Sequence, residues 1–85
     1  MKQTITVTIR GTEKYHMENY LVQEGYEKIS SEIFISQRCE CQFIYQKKIK
    51  LGIISITEVQ LAFIGISNTQ SEVDRFKMKF MTAGG

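Results

Sequence analysis

Residues 3–10 read Gln-Thr-Ile-Thr-Val-Thr-Ile-Arg, an unbroken alternation that puts Ile5, Val7 and Ile9 on one side of an extended chain and Thr4, Thr6, Thr8 and Arg10 on the other. One apolar and one hydroxyl face describe a strand that covers a core with one side and meets water with the other. The rest of the chain shares the bias. Twelve isoleucines stand against three leucines, and with four valines and seven threonines 23 of the 85 residues are β-branched, while proline is absent. Branched side chains are stiff at χ1 and fit a pleated surface better than a helix, so most of the length is predicted as sheet.

Outward from this strand, Gly11 and Thr12 mark a turn, and Tyr15, Met17, Asn19 and Leu21 alternate loosely with their neighbours. A second strand is expected there, with a short helix over 13–22 as the alternative, and Gly25 supplies the positive φ for a tight hairpin into a third strand. From residue 29 to 51 the apolar positions fall on odd numbers: Ile33, Ile35, Cys39, Cys41, Phe43, Tyr45, Ile49 and Leu51. That run is too long for one strand, and the polar clusters Ser36-Gln37-Arg38 and Gln46-Lys47-Lys48 are the two candidate turns. At Gly52 the apolar phase moves to even positions, Ile54 and Ile56, as a bulge or bend would make it do. Residues 57–66 alternate through Val59, Leu61 and Phe63 and read as strand, although Val59, Ala62, Phe63 and Ile66 also fit a helical face.

Thr69 followed by Glu72 has the form of a capping box, and Val73, Phe76 and Phe80 share one helical face. Glu72 and Asp74 stand near the start, Arg75, Lys77 and Lys79 toward the end, as the helix dipole prefers. One helix is therefore predicted over about residues 70–81, with Gly84 and Gly85 ending it or fraying. The expected fold class is α+β: a single domain over 1–85 with a small antiparallel sheet of five to six strands and that C-terminal helix packed on it.

Composition bounds the function. The chain has 42 % hydrophobic and 24 % charged residues, ordinary for a folded domain, and its longest apolar stretches fall far short of the roughly 20 residues that span a bilayer. Two cysteines are too few for a disulfide framework, and no apolar signal segment precedes the first strand, so a cytoplasmic protein is expected. The net charge of +2 conceals two blocks. Residues 13–32 hold Glu13, Glu18, Glu24, Glu27 and Glu32 against Lys14 and Lys28; residues 38–50 hold Arg38, Lys47, Lys48 and Lys50 against Glu40. Opposite charges on neighbouring strands account for this, and complementarity toward a partner is the sharper alternative.

The equipment for catalysis is sparse. His16 is the one histidine, and although Glu13 and Glu18 stand near it in sequence, a lone histidine on a half-exposed strand is more often a polar surface residue than a general base. Cys39 and Cys41 point to the same side of a strand, where free thiols act as small hydrophobes; a zinc site would need a second protomer or His16 to complete it. No glycine-rich phosphate loop occurs. No catalytic residue, metal ligand or cofactor is assigned. The leading expectation is a non-catalytic binding protein, an inhibitor or regulator acting by protein–protein contact on a larger macromolecule, with Ile- and Lys-rich, Leu-poor usage that suits an AT-rich bacterial or phage genome. Arg38, Tyr45, Lys47, Lys48 and Lys50 are the candidate binding residues.

Single-stranded nucleic-acid binding is the alternative partner reading, because basic residues surround Phe34, Phe43 and Tyr45. Oligomeric sequestration of a nucleotide-like ligand is a third. Self-association is expected in any case. Unpaired sheet edges without proline are templates for another chain, and so small a core gains from a second copy, a dimer being the first expectation. Met78 and Met81, off the main apolar face of the helix, offer a second contact surface.

Overall fold

The β-branched stretches form strands and two amphipathic stretches form helices in the computed structural model, which describes residues 2–80. The order is β1 (Gln3–Arg10), α1 (Lys14–Gln23), β2 (Glu27–Lys28), β3 (Ile33–Ile35), β4 (Glu40–Leu51), β5 (Ile54–Gly65) and α2 (Thr69–Phe80). One five-stranded sheet results, in the order β1-β5-β4-β3-β2, with every pairing antiparallel. The fold is α+β.

Both helices lie against the face that carries Val7 and Ile9 of β1, Phe34 of β3, Cys41 and Phe43 of β4, and Val59, Leu61 and Phe63 of β5. Met17 and Leu21, four residues apart on α1, and Val73 and Phe76, three apart on α2, complete this buried cluster. Phe76 joins the layers, with its ring 5.3 Å from Phe63 and 5.7 Å from Tyr20 in edge-on contacts. The predicted helix packing of Val73, Phe76 and Phe80 is observed, Phe80 being partly buried. Met81, Gly84 and Gly85 lie outside the described residues.

Three expectations change. The segment 14–23 is helix, not strand, and Gly25 ends it instead of turning a hairpin. The amide of Tyr26 donates to the carbonyl of Leu21 and that of Gly25 to Val22, while Gly25 takes φ +95°, which together make a Schellman cap. Tyr26 and Leu21, the residues this cap brings together, are both buried. The loose alternation of 15–21 matched a strand, but the i, i+4 pair Met17 and Leu21 with a glycine just beyond was the helical signal.

Of the two candidate turns, Ser36-Gln37-Arg38 is one, since the Ser36 and Cys39 backbones bond across it. Gln46-Lys47-Lys48 is not, because β4 runs through it unbroken to Leu51. The reversal comes at Gly52-Ile53, a two-residue connection between the paired Leu51 and Ile54, with Gly52 at φ +66° as a II′ turn requires of its first central residue.

The third change concerns faces. The β4–β5 register skips Ile44: Phe43 stands opposite Leu61 and Tyr45 opposite Gln60. This β-bulge reverses the meaning of odd and even along β4. Before it Cys41 and Phe43 face the helices; after it Tyr45, Lys47, Ile49 and Leu51 share the opposite face with Gln60, Glu58, Ile56 and Ile54. In β3, too, Phe34 is the core residue, and Ile33 and Ile35 face away, opposite Gln42 and Glu40. The continuous odd-numbered pattern thus covers two strands and both faces of the sheet.

Candidate interaction surface

A hairpin arm follows from the unequal strand lengths. The last β1 partner of β5 is Arg10, opposite Glu58, and the last β3 partner of β4 is Ile33, opposite Gln42. Beyond these points β4 and β5 continue with only each other as strand partners among the described residues, which extend 43 Å along one axis against 25 and 22 Å across. The arm is two-sided. Ile49, Leu51, Ile54 and Ile56 alternate onto the face away from the helices, while Gln46, Lys48, Ser55 and Thr57 take the helix side. Ile53 at the tip is fully exposed, and Leu51 and Ile54 are about half exposed at 49 % and 57 %. Three of the largest exposed aliphatic side chains therefore sit together at one end. A contiguous apolar patch of this kind, rimmed by charge, marks a contact site more often than a scattered leucine does.

Where the arm leaves the body, two clusters hold it. On the outer face Glu58 is 5 % exposed. It accepts 2.7 Å hydrogen bonds from Arg10 Nε and the Tyr45 hydroxyl, and Lys47 Nζ lies 3.7 Å away. The bond from Tyr45, then that from Arg10, holds the Glu58 carboxyl below its ordinary range despite burial, and the same carboxylate pushes the Tyr45 phenol up. On the helix face Glu13 accepts from the Thr57 hydroxyl at 2.8 Å and from Lys48 Nζ at 3.3 Å, which lowers its carboxyl as well. The Lys14 amide caps this contact by donating to the Gln46 side-chain oxygen at 3.0 Å.

Four of the five candidate binding residues lie on the arm. Tyr45 and Lys47 are on its outer face, Lys48 on its inner face, and Lys50 has no carboxylate within 4.0 Å among the described residues. Arg38 is elsewhere. It sits in the turn before β4, donates to Glu72 Oε2 at 3.0 Å and to the Glu24 carbonyl, and lies over the Tyr26 ring. Glu72 also accepts from the Tyr26 hydroxyl at 2.6 Å, which leaves the Cys39 thiol, 3.0 Å from that oxygen, to donate to it. Arg38 is thus a strut joining α1, α2 and the β3–β4 turn. Burial pushes both the Tyr26 phenol and the Cys39 thiol up, so neither is ionised near neutral pH.

The aromatic residues named with the basic block do not form a stacking platform. Phe34 and Phe43 are buried in the core, 5.7 Å apart, and Tyr45 is half-buried with Lys47 over its ring. Cys39 and Cys41 are free and buried, and among the described residues no three of His, Cys, Asp and Glu cluster as metal ligands would. His16 is exposed on α1 and stacked on Tyr15, beside an open cleft that Glu13, Tyr20, Gln23, Lys79 and Phe80 also line. No described helix is long and apolar enough to cross a membrane.

What these features define is a small α+β domain with both helices on one face of an antiparallel sheet and a basic, apolar-sided arm. The family model described as archaeal MoaD-like protein matches residues 5–85, and the chain belongs to that family. No curated protein matches it. Sequence reasoning named the lysines but missed Leu51, Ile53 and Ile54; a run of aliphatic residues around a glycine turn, flanked by three lysines, was the available signal.

Proposed function

We propose that this chain is a non-catalytic binding protein that regulates a larger macromolecule by protein–protein contact, and that the arm is its contact surface. The supporting observation is the bulge at Ile44, which turns Ile49 and Leu51 of β4 onto the face away from the helices, where Ile54 and Ile56 of β5 already lie. Ile49, Leu51, Ile54 and Ile56 supply apolar area, and Lys47, Lys48 and Lys50 supply a positive rim. A protein surface with an apolar centre and acidic periphery fits both. Beyond Phe43 the edge of β4 that faces away from β5 has no strand partner among the described residues, so an extended segment of such a partner could add to it by main-chain hydrogen bonds. Nucleic acid fits less well, because Ile and Leu do not stack on bases as aromatic rings do and the core holds two of the three rings.

The test is capture from host extract with the whole chain as bait, beside Leu51→Asp with Ile54→Asp. The expected result is one stoichiometric protein that survives nuclease treatment and is lost with the double substitution. Equal capture by both baits, or loss of the partner on nuclease treatment, contradicts the proposal.

A further inference from the structure

The sheet has other edges, and they are guarded unequally. β2 is two residues long, Glu27 and Lys28, too short and too charged to recruit a strand. The free edge of β4 carries Lys47, Lys48 and Lys50, so two copies meeting there would set like charges opposite one another. β1 is different. It is eight residues long and pairs with β5 at every position without a bulge. Between Gln3 and Ile9 it carries neither a charge nor a proline.

The register says which of its backbone groups are free. Gly11 donates its amide to the Thr57 carbonyl, continuing the β1–β5 ladder by one pair. In an antiparallel ladder, bonded residues alternate. The odd positions Gln3, Ile5, Val7 and Ile9 therefore face β5 with their amides and carbonyls, and those of Thr4, Thr6, Thr8 and Arg10 point outward, where no described strand pairs with them.

We infer that β1 is a homodimer edge: two copies pair their β1 strands antiparallel about a two-fold axis at Val7, making one ten-stranded sheet. Symmetry and facing restrict the register, and charge selects within it. Residues opposite each other must have the same parity to keep the apolar faces continuous, and the outward even residues must form the bonded pairs. Centring on Thr6 would set Lys2 opposite Arg10, two like charges at each end. Centring on Val7 sets Thr4 opposite Arg10, Thr6 opposite Thr8 and Ile5 opposite Ile9. The threonine pairs are favourable neighbours on the outer face, and the half-covered Ile5 gains an aliphatic neighbour on the inner. Since α2 lies over β1 and β5, strands about 4.8 Å apart would bring the two α2 helices to roughly 10 Å, an ordinary packing distance.

This proposal rests on an edge distinct from the arm, and its test keeps the two apart. Sedimentation equilibrium of the whole chain is compared with Thr6→Lys plus Thr8→Lys, which puts lysines opposite lysines across the axis at two exposed outer-face positions, and with Thr6→Pro, which removes one outward amide and leaves the β5 ladder intact. Circular dichroism checks each fold, and if Thr6→Pro alone unfolds, the lysine variant still decides. The expected masses are two copies of the 9.9 kDa chain for the wild type and for Leu51→Asp with Ile54→Asp, and one copy for the β1 variants. A monomeric wild type at 100-fold varied concentration, a dimer that survives the β1 lysines, or one that dissociates on the arm substitutions instead, overturns the assignment.

Discussion

The two halves of the β4–β5 hairpin both alternate apolar with polar side chains but in opposite orientation. Up to Phe43 on β4 and Val59 on β5, apolar side chains face the two helices and are lost from water; farther out Ile49, Leu51, Ile54 and Ile56 face away from the helices, and Lys48, Ser55 and Thr57 take the inner side. On β4 one extra residue makes the difference, while β5 alternates without a break and moves its apolar residues from the odd positions Val59, Leu61 and Phe63 to the even positions Ile54 and Ile56. A strand's side chains have a period of two, so a single unpaired residue exchanges the faces of everything after it. The body of this protein uses hydrophobicity to fold, and the arm leaves it exposed to water.

Substitutions should separate the halves by size of effect. In the body, Phe76→Ala removes the ring that joins α1, α2 and β5 and is expected to cost about 3–5 kcal/mol in urea unfolding, enough to threaten folding of so small a domain. A loss near that of a surface change would mean the helices are not packed as described.

At the junction the expected effect is smaller and depends on pH. The folded Glu13 and Glu58 carboxyls titrate below their ordinary value of 4.5, so the unfolded chain binds more protons than the folded one just below that pH. Their contribution is present above about 4.5 and is lost as the pH falls through the lower folded values. Unfolding measured from pH 7 to pH 3 should show this fall, and Glu58→Gln should flatten it; an unchanged profile would detach Glu58 from the arm's anchorage.

Deleting Ile44 should cost little, on the order of 1 kcal/mol, because closing the bulge leaves Tyr45 opposite Gln60 and its hydroxyl on Glu58. If the alternation instead ran unbroken through residue 44, deletion would turn Tyr45 to Leu51 onto the other face, and stability would collapse. The smallest effect belongs to the arm itself: Leu51→Asp and Ile54→Asp should each stay within about 0.5 kcal/mol in the same assay while abolishing partner capture.

Much of the body was legible in the sequence. The alternation of β1 and the spacing of Val73, Phe76 and Phe80 placed a strand and a helix because each depends on local periodicity alone. The expected capping box does not form: Thr69 is the first residue of α2, with no hydrogen-bond partner for its hydroxyl among the described residues, and Glu72 accepts from Tyr26 and Arg38. The helix over 14–23 was hidden, since Tyr15, Met17 and Leu21 also alternate, and a glycine with positive φ serves a Schellman cap as well as a hairpin. The arm's orientation was hidden for a deeper reason. Ile44 has nothing distinctive in its sequence; its bulge exists because β5 pairs on past it, and that long-range register is not written in the neighbouring residues. The lysines could be named from charge alone, whereas their position on a projecting arm could not.

The most direct test uses the isoleucines that fill both halves. Methyl resonances of isoleucine-labelled protein can be followed while a soluble paramagnetic agent is added. Broadening should be strong for Ile53 and Ile54, intermediate for Ile49 and Ile56, and nearly absent for Ile9, with the arm signals regaining protection when the captured partner binds. Arm methyls as sheltered as Ile9 in the free protein would contradict the account, because the apolar side of the hairpin would then already be covered.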